Sequence, residues 1–379
     1  MKDIYDIFGI ETNVSKSVFP RSSSGLLENP LMEAVKENFN LNLPDNLTNL
    51  CIKDLSMKNM YKRALKEKNL PVKLIDIWSV MELKKDFMHH SAYQARSHLP
   101  HQYQEDAKKS GESFHEIVDG VAVLPDTIVE TFKREKNKVQ ILYNSTVNEI
   151  NISDEVNVFY KRNTDDHEVR KFDKVVLTPT SAALSMVRFS PNLPYNKTYA
   201  LSSFSYMNSV KVFLAFSDAF WATENKIPKI NFNSTTEKNG GSVVTDLPCR
   251  VIYYPSHPYH GFSLLASYVW GKDADRLTAF TDEDLILLVL DNLVEIHGEV
   301  ARDHFKEGKV MKWVEEGWTM GAFPWVEVGQ TSEFLPSLRE HFMDKAFFAG
   351  EYTSKVIFIE LLKLKPLYPS LVMDGSKQL

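Results

Sequence analysis

At 379 residues the chain is longer than one hydrophobic core usually organises, so two domains are expected. Its 43% apolar and 25% charged residues are ordinary for a globular protein, and a formal charge of −6 gives no reason to expect nucleic acid or an anionic membrane as partner. No run approaches the roughly 18 consecutive apolar residues of a membrane span, and Met1-Lys2-Asp3-Ile4-Tyr5-Asp6 lacks the apolar core of a signal peptide. Cys51 and Cys249 allow at most one internal disulfide, and buried free thiols are the expectation. Asn-x-Ser/Thr sequons occur at Asn13, Asn46, Asn144, Asn151, Asn196 and Asn233, and glycosylation of them requires secretion.

Along the chain, residues 1–30 have little periodicity, and Arg21-Ser22-Ser23-Ser24-Gly25 reads as loop. From about Pro30 to Lys109 the pattern is helical. Leu31, Ala34, Val35 and Phe39 recur with the spacing of one buried helix face, and a second helix over 55–65 takes Ser56 as its N-cap. Lys73 to Phe87 would form a third helix of a small helical subdomain. Strands are predicted at Val139–Tyr143, then at 155–160 and 168–177 across the polar turn 161–166. Further strands are predicted at Val210–Phe216, Arg250–Tyr254 and Phe262–Val269. Thr281-Asp282-Glu283-Asp284 caps a helix from Leu285 that Gly298 stops. Phe347-Phe348-Ala349-Gly350-Glu351-Tyr352-Thr353 reads as a buried strand ending in a glycine turn.

Two negatives bound the chemistry. Of 15 glycines no two are separated by one residue, so the chain holds no G-x-G-x-x-G turn, and no Walker-type phosphate loop occurs. The pair His89-His90 diverges around a helix, His257 and His260 have no neighbouring ligands, and no G-x-S-x-G elbow is present, so metal and hydrolase readings are poor and no metal is expected.

The ordered set Phe114-His115-Glu116-Ile117-Val118-Asp119-Gly120, Thr245-Asp246-Leu247-Pro248-Cys249-Arg250, Lys312-Trp313, Thr319-Met320-Gly321-Ala322-Phe323 and Gly350-Glu351-Tyr352-Thr353 resembles the flavin-containing amine oxidases, most closely the L-amino-acid oxidases. The resemblance spans about residues 113–354 and implies a mixed α/β fold, in which an incomplete Rossmann-like FAD-binding domain joins a mixed-sheet substrate domain and a helical subdomain. It implies a division into 1–112 (helical), 113–206 with 339–379 (FAD-binding remnant) and 207–338 (substrate domain). It also implies FAD as cofactor and oxidative deamination of a small-molecule L-amino acid or amine, with an oxo acid or aldehyde, ammonia and hydrogen peroxide as products. Homo-oligomerisation stays open; the resemblance implies secretion, the N-terminal residues argue against it, and localisation is left open.

By the same resemblance Lys211 matches the lysine that holds a water beside the flavin, and Tyr268 the tyrosine that binds the substrate carboxylate. Trp313 matches the tryptophan beside the isoalloxazine ring, Val147 a backbone contact at the adenine end, and Gly350 and Glu351 the turn at the ribityl-pyrophosphate region. A solvent-facing lysine on an edge strand is the bland alternative for Lys211, a core tyrosine for Tyr268, and a plain exposed carboxylate for Glu351. The family's N-terminal βαβ unit and its substrate-carboxylate arginine have no counterpart here, and after Ser354 an apolar stretch with Pro366 and Pro369 stands where the family has a Gly-Trp helix. A non-catalytic relative that does not hold FAD is therefore the alternative reading.

Overall fold

The structure, a computed structural model, describes residues 119–134, 139–162, 166–222, 242–255 apart from position 246, and 262–354. It adds the strands Thr12–Val14 (β1) and His115–Ile117 (β2), an antiparallel pair, and a few positions between 56 and 66. Among those, Lys58, Asn59, Lys62 and Lys66 are helical, and the Asn59 amide donates to Ser56 Oγ at 3.3 Å, the bond an N-cap makes. The other expectations for 30–109, both histidine pairs, Cys51 and the stretch after Ser354 lie outside the described residues.

After helix α1 (Val123–Arg134) come strands β3 (Ser145–Ile152), β4 (Val156–Arg162) and β5 (Asp166–Phe172). Two strand expectations are corrected here. Residues 139–143 are not a strand: Val139, Ile141 and Tyr143 are all exposed, and pairing starts only at Ser145. The stretch 168–177 divides at Asp173-Lys174 into β5 and β6 (Val175–Leu177), which join different sheets. Helix α2 (Ser181–Leu184), β7 (Arg188–Ser190) and helix α3 (Tyr195–Ser203) follow. A four-stranded sheet runs β5-β4-β3-β7, with β7 parallel to β3.

The chain then enters β8 (Tyr206–Met207), β9 (Ser209–Phe216), β10 (Ser242–Val244), β11 (Val251–Tyr253) and β12 (Phe262–Trp270). Helices α4 (Gly271–Thr278), α5 (Asp282–His297) and α6 (Val300–Asp303) lead to β13 (Phe305–Lys312). Of these, β9 to β13 form a sheet ordered β10-β11-β12-β9-β13, antiparallel throughout. One face carries Val210, Val212, Leu214 and Phe216, the alternate residues of β9, against Leu285, Val289, Leu293 and Ile296 of α5 in one apolar cluster. The limits of α5 follow local chemistry: Thr281 Oγ1 accepts the Asp284 amide at 3.1 Å, and Gly298 ends the helix at φ 90°.

The last elements are β14 (Phe323–Pro324), paired with β8, helix α7 (Gln330–Arg339) and β15 (Ala346–Phe348). β15 pairs in parallel with β6, so the predicted C-terminal strand is buried beside the segment that follows β5. A second cluster gathers Ile150, Val158, Leu177, Leu201, Phe334, Leu338, Phe348 and Tyr352 from β3, β4, β6, α3, α7, β15 and the turn after it. Cys249 is buried with a free thiol, pushed up to about 12 by burial.

Lys197, on α3, is only 1% exposed. Its Nζ donates to the carbonyls of Ser337 and Leu338 at the end of α7 and lies 3.8 Å from the centre of the Phe348 ring. Burial pulls its pKa down to about 8, with Glu340 opposing. The unfolded chain therefore binds the proton between that value and the ordinary 10.5 while the folded chain does not, and stability rises with pH across the window. Relative to Lys197→Met, the wild type should gain on the order of 2–3 kcal/mol between pH 7.5 and pH 10.5. Denaturant titrations of both proteins at the two pH values check this, and a pH-independent difference would refute it.

Candidate functional site

Lys211 sits on the central strand β9, flanked by β12 and β13, which removes the edge-strand alternative. Alternation turns Val210 and Val212 into the core and leaves Lys211 half-buried on the opposite face with Phe213. Met311 of β13 and Tyr268 of β12 are its register neighbours. The Lys211 Nζ lies 4.7 Å from the centre of the Tyr268 ring.

Strict alternation along β12 would not have put Tyr268 there. Leu264 and Ala266 are buried, so Tyr268 would follow them into the core. The register slips between Leu265 and Ser267, and Ala266 and Ser267 are both fully buried. This bulge reverses the faces, so Val269 points inward while Tyr268 and Trp270 join Lys211. Ser267 Oγ anchors it by donating to the Cys249 carbonyl at 3.0 Å. Removing that hydroxyl in Ser267→Ala should lower stability by about 1 kcal/mol. The denaturant midpoint reads the change, and an unshifted midpoint would show that the bulge stands without it.

Around Tyr268 the structure adds two rings that sequence reasoning missed. Trp270 packs edge-on at 5.1 Å between centres and Tyr253 of β11 at 6.3 Å. Trp270 was within reach of period-two alternation from Tyr268; Tyr253, on another strand, had no such signal. Burial raises the pKa of both tyrosines, so each phenol stays protonated as a hydrogen-bond donor.

Trp313 is half-buried just beyond β13, its amide donating to the Ser209 carbonyl at 3.1 Å, two residues before Lys211. Lys211, Tyr268 and Trp313 thus belong to one end of the five-stranded sheet. Gly350 and Glu351 lie elsewhere in the chain's order, at the end of β15. Gly350 has φ 115°, and a Cβ there would stand 3.3 Å from the Thr178 carbonyl oxygen, so the turn needs glycine. Glu351 keeps solvent access, yet desolvation by the surrounding protein raises its carboxyl above the usual range, and no ion pair reaches it among the described residues.

Tyr206 and Tyr352, both missed from sequence, flank that turn. The Tyr206 hydroxyl accepts from the Ser181 amide at 3.4 Å, and burial pushes its pKa up to about 12. Tyr352 is 1% exposed, and its hydroxyl has no partner among the described residues. Gly321, in the loop after Trp313, approaches Tyr206 so closely that a Cβ would lie 2.9 Å from the Tyr206 Cβ. Tyr206 therefore links the Trp313 loop to the start of α2. Val147 stands apart on β3, opposite Tyr160 and 37% exposed, at the irregularity between Val147 and Glu149.

The family described as "Flavin containing amine oxidoreductase" matches residues 28–358. The chain belongs to this flavin-containing family of amine oxidoreductases. It is similar to an L-amino-acid oxidase of Sistrurus catenatus edwardsii, 32% identical over 247 residues that make up 64% of this chain and 45% of that protein. It is also similar to an L-amino-acid oxidase of Siganus canaliculatus, 34% identical over 251 residues, 64% of this chain and 44% of that protein. The chain spans about half the length of the curated relatives it matches, at 45% and 44%. In fold it is similar to the cyclohexylamine oxidase from Brevibacterium oxydans IH-35A, with a TM-score of 0.64, 15% identity, and coverage of 94% of this chain and 80% of that one. The mixed α/β fold of a flavin amine oxidase is thereby borne out. No helix among the described residues is long and apolar enough to cross a membrane.

Proposed function

We propose that the chain takes part in FAD-dependent oxidative deamination of an L-amino acid or related amine, giving an oxo acid or aldehyde, ammonia and hydrogen peroxide. One observation carries this reading: the register that brings Lys211 and Tyr268 to one face of a central strand pair, with Nζ 4.7 Å from the ring centre. The donor set suits a flavin on its ring side. Trp313 offers a flat apolar wall, Gly350 makes the positive-φ turn that packs against the Thr178 carbonyl, and Glu351 at that turn is a carboxylate with no ion pair among the described residues. Val147 would meet the adenine end through its backbone. No residues of the chain match the glycine turn that receives a pyrophosphate.

When bound, FAD would supply the hydride acceptor and its regeneration by oxygen. Tyr268, kept protonated by burial, donates to the substrate carboxylate and so presents the α-carbon towards Lys211. Lys211 Nζ orients a water and moves protons to and from it, which hydrolysis of the substrate imine requires. Tyr253 and Trp270 pack on the Tyr268 ring and would give the substrate an apolar aromatic surround there. In domain terms we assign residues 207–338 to the substrate side and 113–206 with 339–379 to the flavin side, with Phe334 and Leu338 of α7 packing in the cluster of the latter.

A second reading, a family member that does not hold FAD, is favoured by the missing glycine turn alone. An absorbance spectrum of the purified chain after incubation with FAD and removal of free cofactor separates the two. Retained flavin bands and peroxide release from L-amino acids are expected; a colourless protein would support the second reading.

A further inference from the structure

Three residues, Thr178 to Thr180, touch both halves of the proposed site. The Thr178 carbonyl faces Gly350 at the flavin-side turn. Thr180 reaches the other half: its Oγ1 donates to the Thr319 carbonyl at 2.7 Å, and Thr319 Oγ1 in turn donates to the Trp313 carbonyl at 3.3 Å. The same Thr180 oxygen accepts the Ala183 amide at 3.1 Å as the N-cap of α2, so its rotamer is set from the α2 side. The Trp313 loop is tied to β8 and to the start of β9 at its two ends, through Trp313 to Ser209 at 3.1 Å and Ala322 to Met207 at 2.9 Å. Thr180 pins it between those ends.

Resting on the amine-oxidase reading of the site, we infer that Thr180 is a positioning residue. It fixes the Trp313 loop against the Gly350–Glu351 turn and so sets the width of the slot between them. A slot for a flat ring tolerates little error, since a misplacement of about 1 Å reduces turnover by as much as 10²-fold.

The test uses the full chain and three variants. Thr180→Val keeps the shape and loses both bonds. Thr180→Ser keeps both. Thr319→Val cuts the link to Trp313 while leaving the α2 cap intact. Hydrogen–deuterium exchange in peptides covering 313–323 should be roughly fivefold to tenfold faster in Thr180→Val and Thr319→Val and unchanged in Thr180→Ser. In the flavin-loaded protein the two valine variants should lose roughly tenfold in kcat with KM moving less, and serine should restore it.

Unchanged exchange in Thr180→Val overturns the inference. So does faster exchange accompanied by wild-type flavin absorbance and kcat. Exchange is read without flavin, so a chain that retains no flavin defeats the oxidase reading alone, while the exchange pattern still decides whether Thr180 holds the loop.

Discussion

Replacing Lys211 by methionine is expected to lower kcat for peroxide release by roughly 10²–10⁴-fold, the range associated with losing a positioned proton-transfer group. Methionine preserves the length and the apolar stem and deletes only the ammonium. Because Lys211 is half-buried on the face away from the core formed by Val210, Val212 and Leu214, the fold should lose little beyond the contact with Tyr268. Such a contact is worth about 0.5–1 kcal/mol. Flavin retention, read from the visible spectrum, should persist, so the loss of rate can be assigned to chemistry. A kcat within a few-fold of wild type, with flavin bound, would remove Lys211 from the reaction.

The largest structural effect is expected three residues further along the same strand. Leu214 is 0% exposed and pairs with Leu264 of β12 and Gly308 of β13, at the middle of the sheet. Gly308 leaves no room to collapse from that side, because a Cβ there would already stand 2.7 Å from Ile286 Cγ1. Leu214→Ala should therefore cost about 2–5 kcal/mol, a large part of a typical total of about 5–15 kcal/mol. Phe213→Ala is the internal control: 40% exposed on the opposite face, it should cost much less. Denaturant titrations of both variants check the contrast, and equal losses would mean that the two faces of β9 are not divided as the burial pattern says.

Much of this architecture was legible from local chemistry. The alternation around Lys211, the Thr281 cap, the Gly298 stop and the Phe347–Gly350 turn each involve residues within one helical turn or one strand repeat, and each stands as expected. Strand ends were legible only in part. Val139, Ile141 and Tyr143 have strand-forming side chains and no partner strand among the described residues, whereas Asp173-Lys174 divides the strand expected at 168–177 because β5 and β6 have different neighbours.

The sequence by itself determined the family through ordered motifs, the apolar face of β9 through period two, and the need for glycine at 350 through its turn. Tertiary structure alone decided that β9 is central, so that Lys211 has Tyr268 on one side and Met311 on the other. It also decided which way Tyr268 points. That orientation depends on one extra residue inserted between Leu265 and Ser267, with the Ser267 hydroxyl held by the Cys249 carbonyl 18 residues away in sequence. The physical reason is the pleat: a shift of one residue exchanges every side chain between faces, and what fixes such a shift is a partner strand that local sequence does not name.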